Sequence, residues 1–411
     1  MLKRINYILC AILLVFVSLP LFSTGTQEKK SEKLKMEFFQ NKQEAIGTFN
    51  ELIARFEKKY PNITIVQNNV PEFETVLMTR LTKNDIPALI GMGGTADFGN
   101  LARAGVLKNF AGDPVLDHIN KAYLEIIKNE THPGGTYGLP YSANANTTLY
   151  NKTKFEELGI KVPKTWDEFV AAAQKSEAAG QTPFYLTLKT AWTAMVPFNS
   201  LAANLQGDDF IEKRLAGKTS FQERYFDVAK KMLTIVKYGE KDKFGADYRD
   251  GNTSFAKGKS VMYLQGVWAI GDIKKANPNI NLGVFALPAL NDANKNRLVS
   301  GVDTLFALSK DPKYAKGKLF IDFMLEPENA KYYIDKEKEF STVKGVLQED
   351  PVMDGIKVNF KTGRIAGFPD HSYPLGMQVP NIVQAFLRKG DVNSFLKTMD
   401  DEWDKVQKRS K

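Results

Sequence analysis

Apolar residues along this chain switch between spacings of two and spacings of three to four, so strands and helices are expected to take turns. Leu34 to Gln40 alternates as a first strand. Phe49, Leu52, Ile53, Phe56 and Tyr60 then fall at helical spacing, and Pro61 stops that helix. Ile63 to Val66 predicts a second strand, Val76, Leu77 and Leu81 mark a helix, and Ala88 to Ile90 predicts a third strand. A β-α-β-α-β opening of this kind is typical of α/β layers. Helices over Phe98 to Ala104 and Ala122 to Lys128 lead to a strand over Tyr137 to Tyr141.

A second set of elements begins at Asn144. Strands at Thr147 to Tyr150, Gln181 to Leu188, Ser260 to Tyr263 and Leu282 to Leu287 are expected between helices. Those helices cover Lys154 to Leu158, Trp166 to Ala179, Thr190 to Ala203, Gln222 to Tyr238 and Trp268 to Ala276. Thr165-x-x-Glu168 is a capping box, which satisfies orphan amide donors where the helix at Trp166 starts. Thr304 to Ser309 predicts a further strand, Ala315 to Leu325 a helix, and Ile382 to Val406 two amphipathic helices broken at Gly390. At 411 residues and 43% hydrophobic content the chain can bury more than one core. Two α/β lobes are therefore expected, with the chain crossing between them more than once and a hinge at the extended crossings.

The N-terminus carries Lys3 and Arg4, an apolar run from Ile5 to Phe22, then Ser23, Thr24 and Gly25, the layout of a cleaved export signal over 1–25. An uncleaved anchor is the rival reading, disfavoured by Pro20 and the small-residue exit. The only cysteine, Cys10, lies inside this run, so a cleaved chain has no disulfide, thiol nucleophile or cysteine-based metal site. Cys10 also sits too early in the apolar run to be an acylated first residue, so a freely diffusing periplasmic protein is expected. Loss of Lys3 and Arg4 lowers the formal net charge from +9 to +7, mild for this length. Basic residues have acidic neighbours, as in Arg55 to Lys59, which describes a solvated face and no nucleic-acid groove.

Gly91-Met-Gly93-Gly-Thr-Ala96 fits the glycine pattern of a dinucleotide loop after a strand, yet no second strand with a terminal acid follows. A glycine-rich lip that brings backbone close to a ligand is the milder reading. Gly258-Lys259-Ser260 lacks the earlier glycine of a phosphate loop, so no cofactor is expected. His118, His132 and His371 are scattered without metal-ligand spacing, so no metal is expected either. Acidic pairs such as Glu156-Glu157 and Asp400-Asp401 are expected to face water.

The stronger signal is aromatic. Phe39, Phe98, Tyr141, Trp192 and Trp268 fall near strand ends, with polar neighbours Gln40, Glu44, Asp97, Asn144, Asn146, Gln265 and Asp303. Flat rings beside planar polar groups suit a ligand with apolar C–H faces and a rim of hydroxyls, and such a site needs no net charge. Singly, each aromatic is more readily a core residue, since such side chains bury well. Trp166 and Trp403 are assigned to packing.

Gly134 to Phe169 contains Tyr137-Gly-Leu-Pro-Tyr141, Leu149-Tyr-Asn-Lys152 and Pro163-Lys-Thr-Trp-Asp-Glu168, and Phe255-Ala-Lys-Gly-Lys-Ser-Val-Met262 runs on to Gly266-Val-Trp268. This order of motifs resembles the extracellular solute-binding proteins of ATP-binding-cassette sugar importers, over nearly the whole mature chain. Val261 stands where alanine is usual, and one tyrosine before Asn151 is missing. The resemblance implies a two-lobed periplasmic-binding-protein fold with a hinge and an inter-lobe cleft, the first lobe at 34–141 plus 301–342 and the second at 142–300 plus 343–411. It implies a monomer without enzymatic activity that captures a carbohydrate and docks on membrane permease subunits. Trp268 inherits a ring-stacking role, with Trp192 as a second. Taken with the aromatic and polar positions above, and with Asp303 resting on its place at a lobe-crossing strand alone, the expected ligand-binding set is Phe39, Gln40, Glu44, Asp97, Phe98, Tyr141, Asn144, Trp192, Gln265, Trp268 and Asp303. A secreted carbohydrate-active enzyme and a binder of polyamines or peptides are the rival readings.

Overall fold

The computed structural model describes residues 33–131, 135–374 and 376–409. The expected export signal at 1–25, Cys10 and His132 lie outside these. Ten strands form one sheet. They are β1 (Leu34–Gln40), β2 (Ile63–Asn68), β3 (Leu89–Met92), β4 (Leu139–Asn151), β5 (Phe184–Tyr185), β6 (Met262–Gly266), β7 (Leu282–Phe285), β8 (Leu298–Leu308), β9 (Phe340–Ser341) and β10 (Ile365–Ala366). The sheet runs β2-β1-β3-β8-β4-β6-β5, with β9 and β7 also on β4 and β10 on β8. β1 pairs parallel with β2 and β3, as a β-α-β-α-β opening requires, and the two long strands β4 and β8 run antiparallel.

The decisive element is β4, which changes partner along its length. Leu139 to Ala145 pair with β8, whereas Asn146 to Tyr150 pair with β6 and Thr148 to Asn151 with β7. Sequence periodicity predicts two separate strands here, because Ser142-Ala-Asn-Ala-Asn146 reads as a polar break. The chain instead stays extended, held by long-range hydrogen bonds: Asn144 Nδ2 donates to Asp303 Oδ1, and Asn146 Nδ2 to the Val196 carbonyl of helix Met195–Leu205 at 3.0 Å. In the β4–β8 register Pro140 faces Leu305, Ser142 faces Thr304 and Ala143 faces Val302, so Tyr141 and Asp303 are each left unmatched. Such bulges bend a strand and re-aim a side chain.

Three apolar clusters cover the sheet. Met36, Phe38, Phe49, Phe56, Phe306 and Phe320 lie on one face of the first half, with helices Ile46–Lys59 and Gly317–Met324. Phe169, Phe184, Met262, Leu264 and Trp403 form the core of the other half. A third cluster runs along the remaining face from Phe39 and Ile90 to Tyr263 and Ile270, and so passes under both halves.

Helix Ile46–Lys59 ends before Pro61, the capping box at Thr165 and Glu168 forms, and the tail breaks at Gly390 into Val379–Lys389 and Val392–Arg409. Gly390 has φ +78°, the left-handed conformation that ends a helix at little cost. Trp166 and Trp403 pack in the core. Only Phe184–Tyr185 of the expected strand Gln181 to Leu188 forms, because Leu188 and Lys189 bond to Lys243 and Ala246 in a loop. Helices Tyr248–Ala256, Pro327–Glu337 and Asp354–Lys361 escape the periodicity reading. Asp400 is also a correction: it is buried, accepts the amides of Phe221 at 2.8 Å and Gln222 at 3.2 Å, and lies 3.4 Å from Arg214. Orphan donors at the start of a short helix draw this carboxylate inward.

Candidate functional site

Polar and aromatic groups converge where β4 changes partner. β1 ends at Gln40, whose side chain is fully buried; Nε2 donates to Gln67 Oε1 at 2.8 Å and Oε1 accepts the Lys42 amide. Those bonds shape the loop that carries Lys42 to Asp303, where the ammonium meets Oδ2 at 2.5 Å. Asp303 Oδ1 takes the Asn144 amide, so loop, β8 and β4 are tied at one carboxylate. Glu44 stands 4.0 Å from the same ammonium and is half exposed.

Beneath this pair lies Glu339, just before β9 and only 1% exposed. Burial, then the Asp303 carboxylate, pushes Glu339 well above the usual carboxylate range, so it keeps its proton where Asp303 is already paired with Lys42. Burial alone would lower Lys42, but Asp303, with Glu44 and Glu339 behind it, holds the ammonium above its usual range. Nearby, Thr48 Oγ1 donates to Glu337 Oε1 at 2.5 Å, and burial pushes Glu337 up as well.

On the other side of the partner switch, Asn146 pairs with Gly266 at the end of β6. A methyl group on Gly266 would overlap the indole of Trp268, so the ring lies back over this glycine. The glycine-any-tryptophan string thus has a steric cause: only a residue without Cβ lets the indole fold onto the strand end. Trp192, 40% exposed, stands 6.3 Å from Trp268 and 5.1 Å from Tyr248 between ring centroids. Three rings from three segments therefore form one wall. Burial, then Asp272 and Glu44, pushes the Tyr248 hydroxyl up to about 12, with Lys42 opposing.

Of the residues singled out by sequence, the structure gathers Gln40, Glu44, Asn144 and Asp303 around Lys42, and sets Trp192 beside Trp268. Gln265 is buried behind the wall, its Nε2 3.4 Å from Thr187 Oγ1. Phe39 stacks on Phe73 at 4.5 Å, Phe98 is fully buried against Gly138, and Tyr141 packs between Phe306 and Tyr333. These three rings belong to the core in this structure. Asp97 lies in the first turn of helix Ala96–Arg103, and burial, then Glu74, pushes its carboxyl up. The glycine-rich lip packs tightly on β8: Gly94 donates to the Val302 carbonyl at 3.1 Å, and a methyl there would meet Val302 and Ile127 at 3.2 Å.

Sequence reasoning missed Lys42, Tyr248 and Phe368. A lysine among 56 basic residues carries no signal, and Tyr248 lies on an unrecognised helix. Phe368 stacks on His371 at 4.9 Å and covers Gly301, where a methyl group would lie 2.6 Å from its ring. Among the described residues no group of three or more histidine, cysteine, aspartate or glutamate side chains has the geometry to hold a metal.

Glu240 lies in the loop after helix Phe226–Lys237. Its Oε2 accepts the Leu186 amide at 2.7 Å, and burial pushes its pKa up to about 7 from 4.5. A carboxyl raised on folding contributes stability below 4.5 that is lost as pH rises through 7. Glu240→Gln should therefore gain stability over the parent at pH 8 and gain none at pH 4, in urea unfolding at both; equal gains at both would remove the carboxyl from the effect.

The family model for bacterial extracellular solute-binding proteins matches residues 41–331. The Multiple sugar-binding protein of Streptococcus mutans is 30% identical over 332 residues, 78% of each chain. The Melibiose/raffinose/stachyose-binding protein MelE of Bacillus subtilis is 26% identical over 69% of this chain and 68% of its own. A structure of RafE in complex with raffinose superposes with a TM-score of 0.80 at 27% identity, over 91% of this chain and all of that one. The apo-form of RafE from Streptococcus pneumoniae gives 0.77 at 28% identity, over 92% of this chain and 98% of its own. With the family model matching residues 41–331 and the fold shared over 91% of its length, this chain belongs to the bacterial extracellular solute-binding proteins, which have a two-lobed α/β fold.

Proposed function

We propose that this protein captures a sugar or oligosaccharide between its two lobes, leaves it chemically intact and delivers it to the permease of an ATP-binding-cassette importer. The observation that carries this reading is the wall of Trp192, Tyr248 and Trp268, set beside the polar group of Lys42, Asn144 and Asp303 at the sheet crossing. Rings offer C–H stacking while amide and carboxylate groups order hydroxyls. The relatives support it, since the Streptococcus mutans and Bacillus subtilis proteins are named for sugars and RafE was solved with raffinose.

The lobes we assign are 34–141 with 301–342 and 142–300 with 343–411, a division supported by the change of partner within β4. The ligand-contacting set is Gln40, Glu44, Asn144, Trp192, Trp268 and Asp303, joined by Lys42 and Tyr248; the core rings Phe39, Phe98 and Tyr141 are left out. The leader at 1–25 directs export to the periplasm, where the protein works as a monomer. Closure follows from ligand contacts made in the closed state and absent in the open one, the only source of energy that can shift the balance.

Calorimetry against raffinose-type oligosaccharides, amino acids and polyamines tests this reading. Saturable heat with a saccharide, recovery of unchanged sugar and compaction in solution scattering are expected. Turnover of the sugar, or binding of cationic ligands alone, would overturn it.

A further inference from the structure

Two glycines of the sheet each lie under an aromatic ring, one on either side of β4. Gly301 of β8 pairs with Asn144, and Gly266 of β6 pairs with Asn146. Residues directly opposite in a ladder point to one face, as do residues two apart along a strand, so both asparagines and both glycines share a face. On that face the Trp268 indole covers Gly266 and the Phe368 ring covers Gly301, where an added methyl group would lie 2.6 Å from it. Two strand spacings and one step of two residues separate the glycines by about 12 Å. A single pyranose ring is well short of that span.

Phe368 has no part in the cores: it is half-buried and, among the described residues, joins none of the three apolar clusters. The turn Pro369–Ser372 that follows holds His371 flat against the ring. Helix Met195–Leu205 links this turn to the wall, since it packs on the turn, starts directly after the Trp192 turn Ala191–Ala194 and takes the Asn146 amide at the Val196 carbonyl. Between the two rings, Asn144 gives its Nδ2 to Asp303, while its buried Oδ1 accepts no hydrogen bond among the described residues. A buried acceptor of this kind calls for a donor, which a sugar hydroxyl supplies.

We propose, resting on the saccharide reading above, that Phe368 is a second stacking platform and that the site therefore selects linked sugars over single ones. One unit stacks on the wall at Trp268, another on Phe368, and the stretch between them lies over Asn144. A monosaccharide reaches one platform and forgoes the other.

The experiment is calorimetry with raffinose and its fragments melibiose and galactose, and with maltotriose, maltose and glucose, on the parent and on Phe368 variants. In the series that binds, the trisaccharide is expected to bind at least about tenfold more tightly than its monosaccharide, as a second aromatic anchor requires. Phe368→Ala should remove about tenfold of trisaccharide affinity and leave monosaccharide affinity unchanged. Phe368→Tyr, which keeps the flat ring, should retain tight binding, whereas Phe368→Leu, which fills the space over Gly301 without one, should bind as weakly as the alanine variant. Equal affinity of the parent and Phe368→Ala for the trisaccharide overturns the second platform. So does recovery by leucine, or an equal loss for both sugar lengths, since either makes the residue a packing group over Gly301. Absence of heat with every member of both series sinks the saccharide reading itself.

Discussion

Asp303→Ala should cost about 3 kcal/mol of folding stability, because removing one partner of a buried ion pair strands the other. The carboxylate answers Lys42 at 2.5 Å and the Asn144 amide, and both side chains of the ion pair are largely withdrawn from water. Urea unfolding at pH 7 measures this loss. Glu339 lies beneath, its carboxyl held up by burial first and Asp303 second, so the variant should lose further stability as pH rises above the usual carboxylate range. Lys42→Met combined with Asp303→Leu removes both charges and should cost less than Asp303→Ala alone. If Asp303→Ala is as stable as the parent, the carboxylate does not hold the crossing together.

Gly266→Ala should weaken saccharide binding as much as Trp268→Ala does, by about 1–3 kcal/mol, as expected for loss of a buried aromatic anchor. The reason is steric. A Cβ on Gly266 occupies the volume of the Trp268 indole, which must then swing off the strand end. Gly266 does not have a left-handed φ, so the backbone itself tolerates alanine and the strand should persist. The double variant should bind no more weakly than Trp268→Ala alone, since both changes remove the same ring from the same place. Calorimetry on the three variants decides the matter: additive losses would mean that Gly266 serves binding by a route other than placing the indole.

Both outcomes bear on what makes a hinge region here. Extended strands cross between the halves of the sheet, and their polar residues are not idle: Asn144 and Asn146 each anchor β4 to a different neighbour. Because Tyr141 and Asp303 fall at the bulges, the strand bends where it changes partner, and Asp303 is turned toward the loop after β1.

Elements with a strong local pattern were legible from the chain. The helix at Phe49 to Tyr60 has its apolar face and its proline stop, the helix at Trp166 has its capping box, and Gly390 breaks the tail. The polar stretch Ser142 to Asn146 reads as a break in sequence, yet it stays extended because Asn144 and Asn146 bond to residues about 160 and 50 positions away. Helix Tyr248–Ala256 was missed because Gly251, Asn252 and Thr253 weaken its local preference. Phe39, Phe98 and Tyr141 look like candidates for a ligand face in sequence, yet each lies in the apolar core.

By itself the sequence determined the alternation of strands and helices, the capping signals, the family-like motifs and the aromatic and amide residue types of the candidate cleft. These are local properties, set by neighbours within a few residues. Only the tertiary structure decided which aromatics face outward, that Lys42 belongs to Asp303, and that Trp192, Tyr248 and Trp268 share one wall. The physical reason is distance along the chain: burial and pairing depend on segments up to some 260 residues apart, and no local pattern encodes which of them will meet.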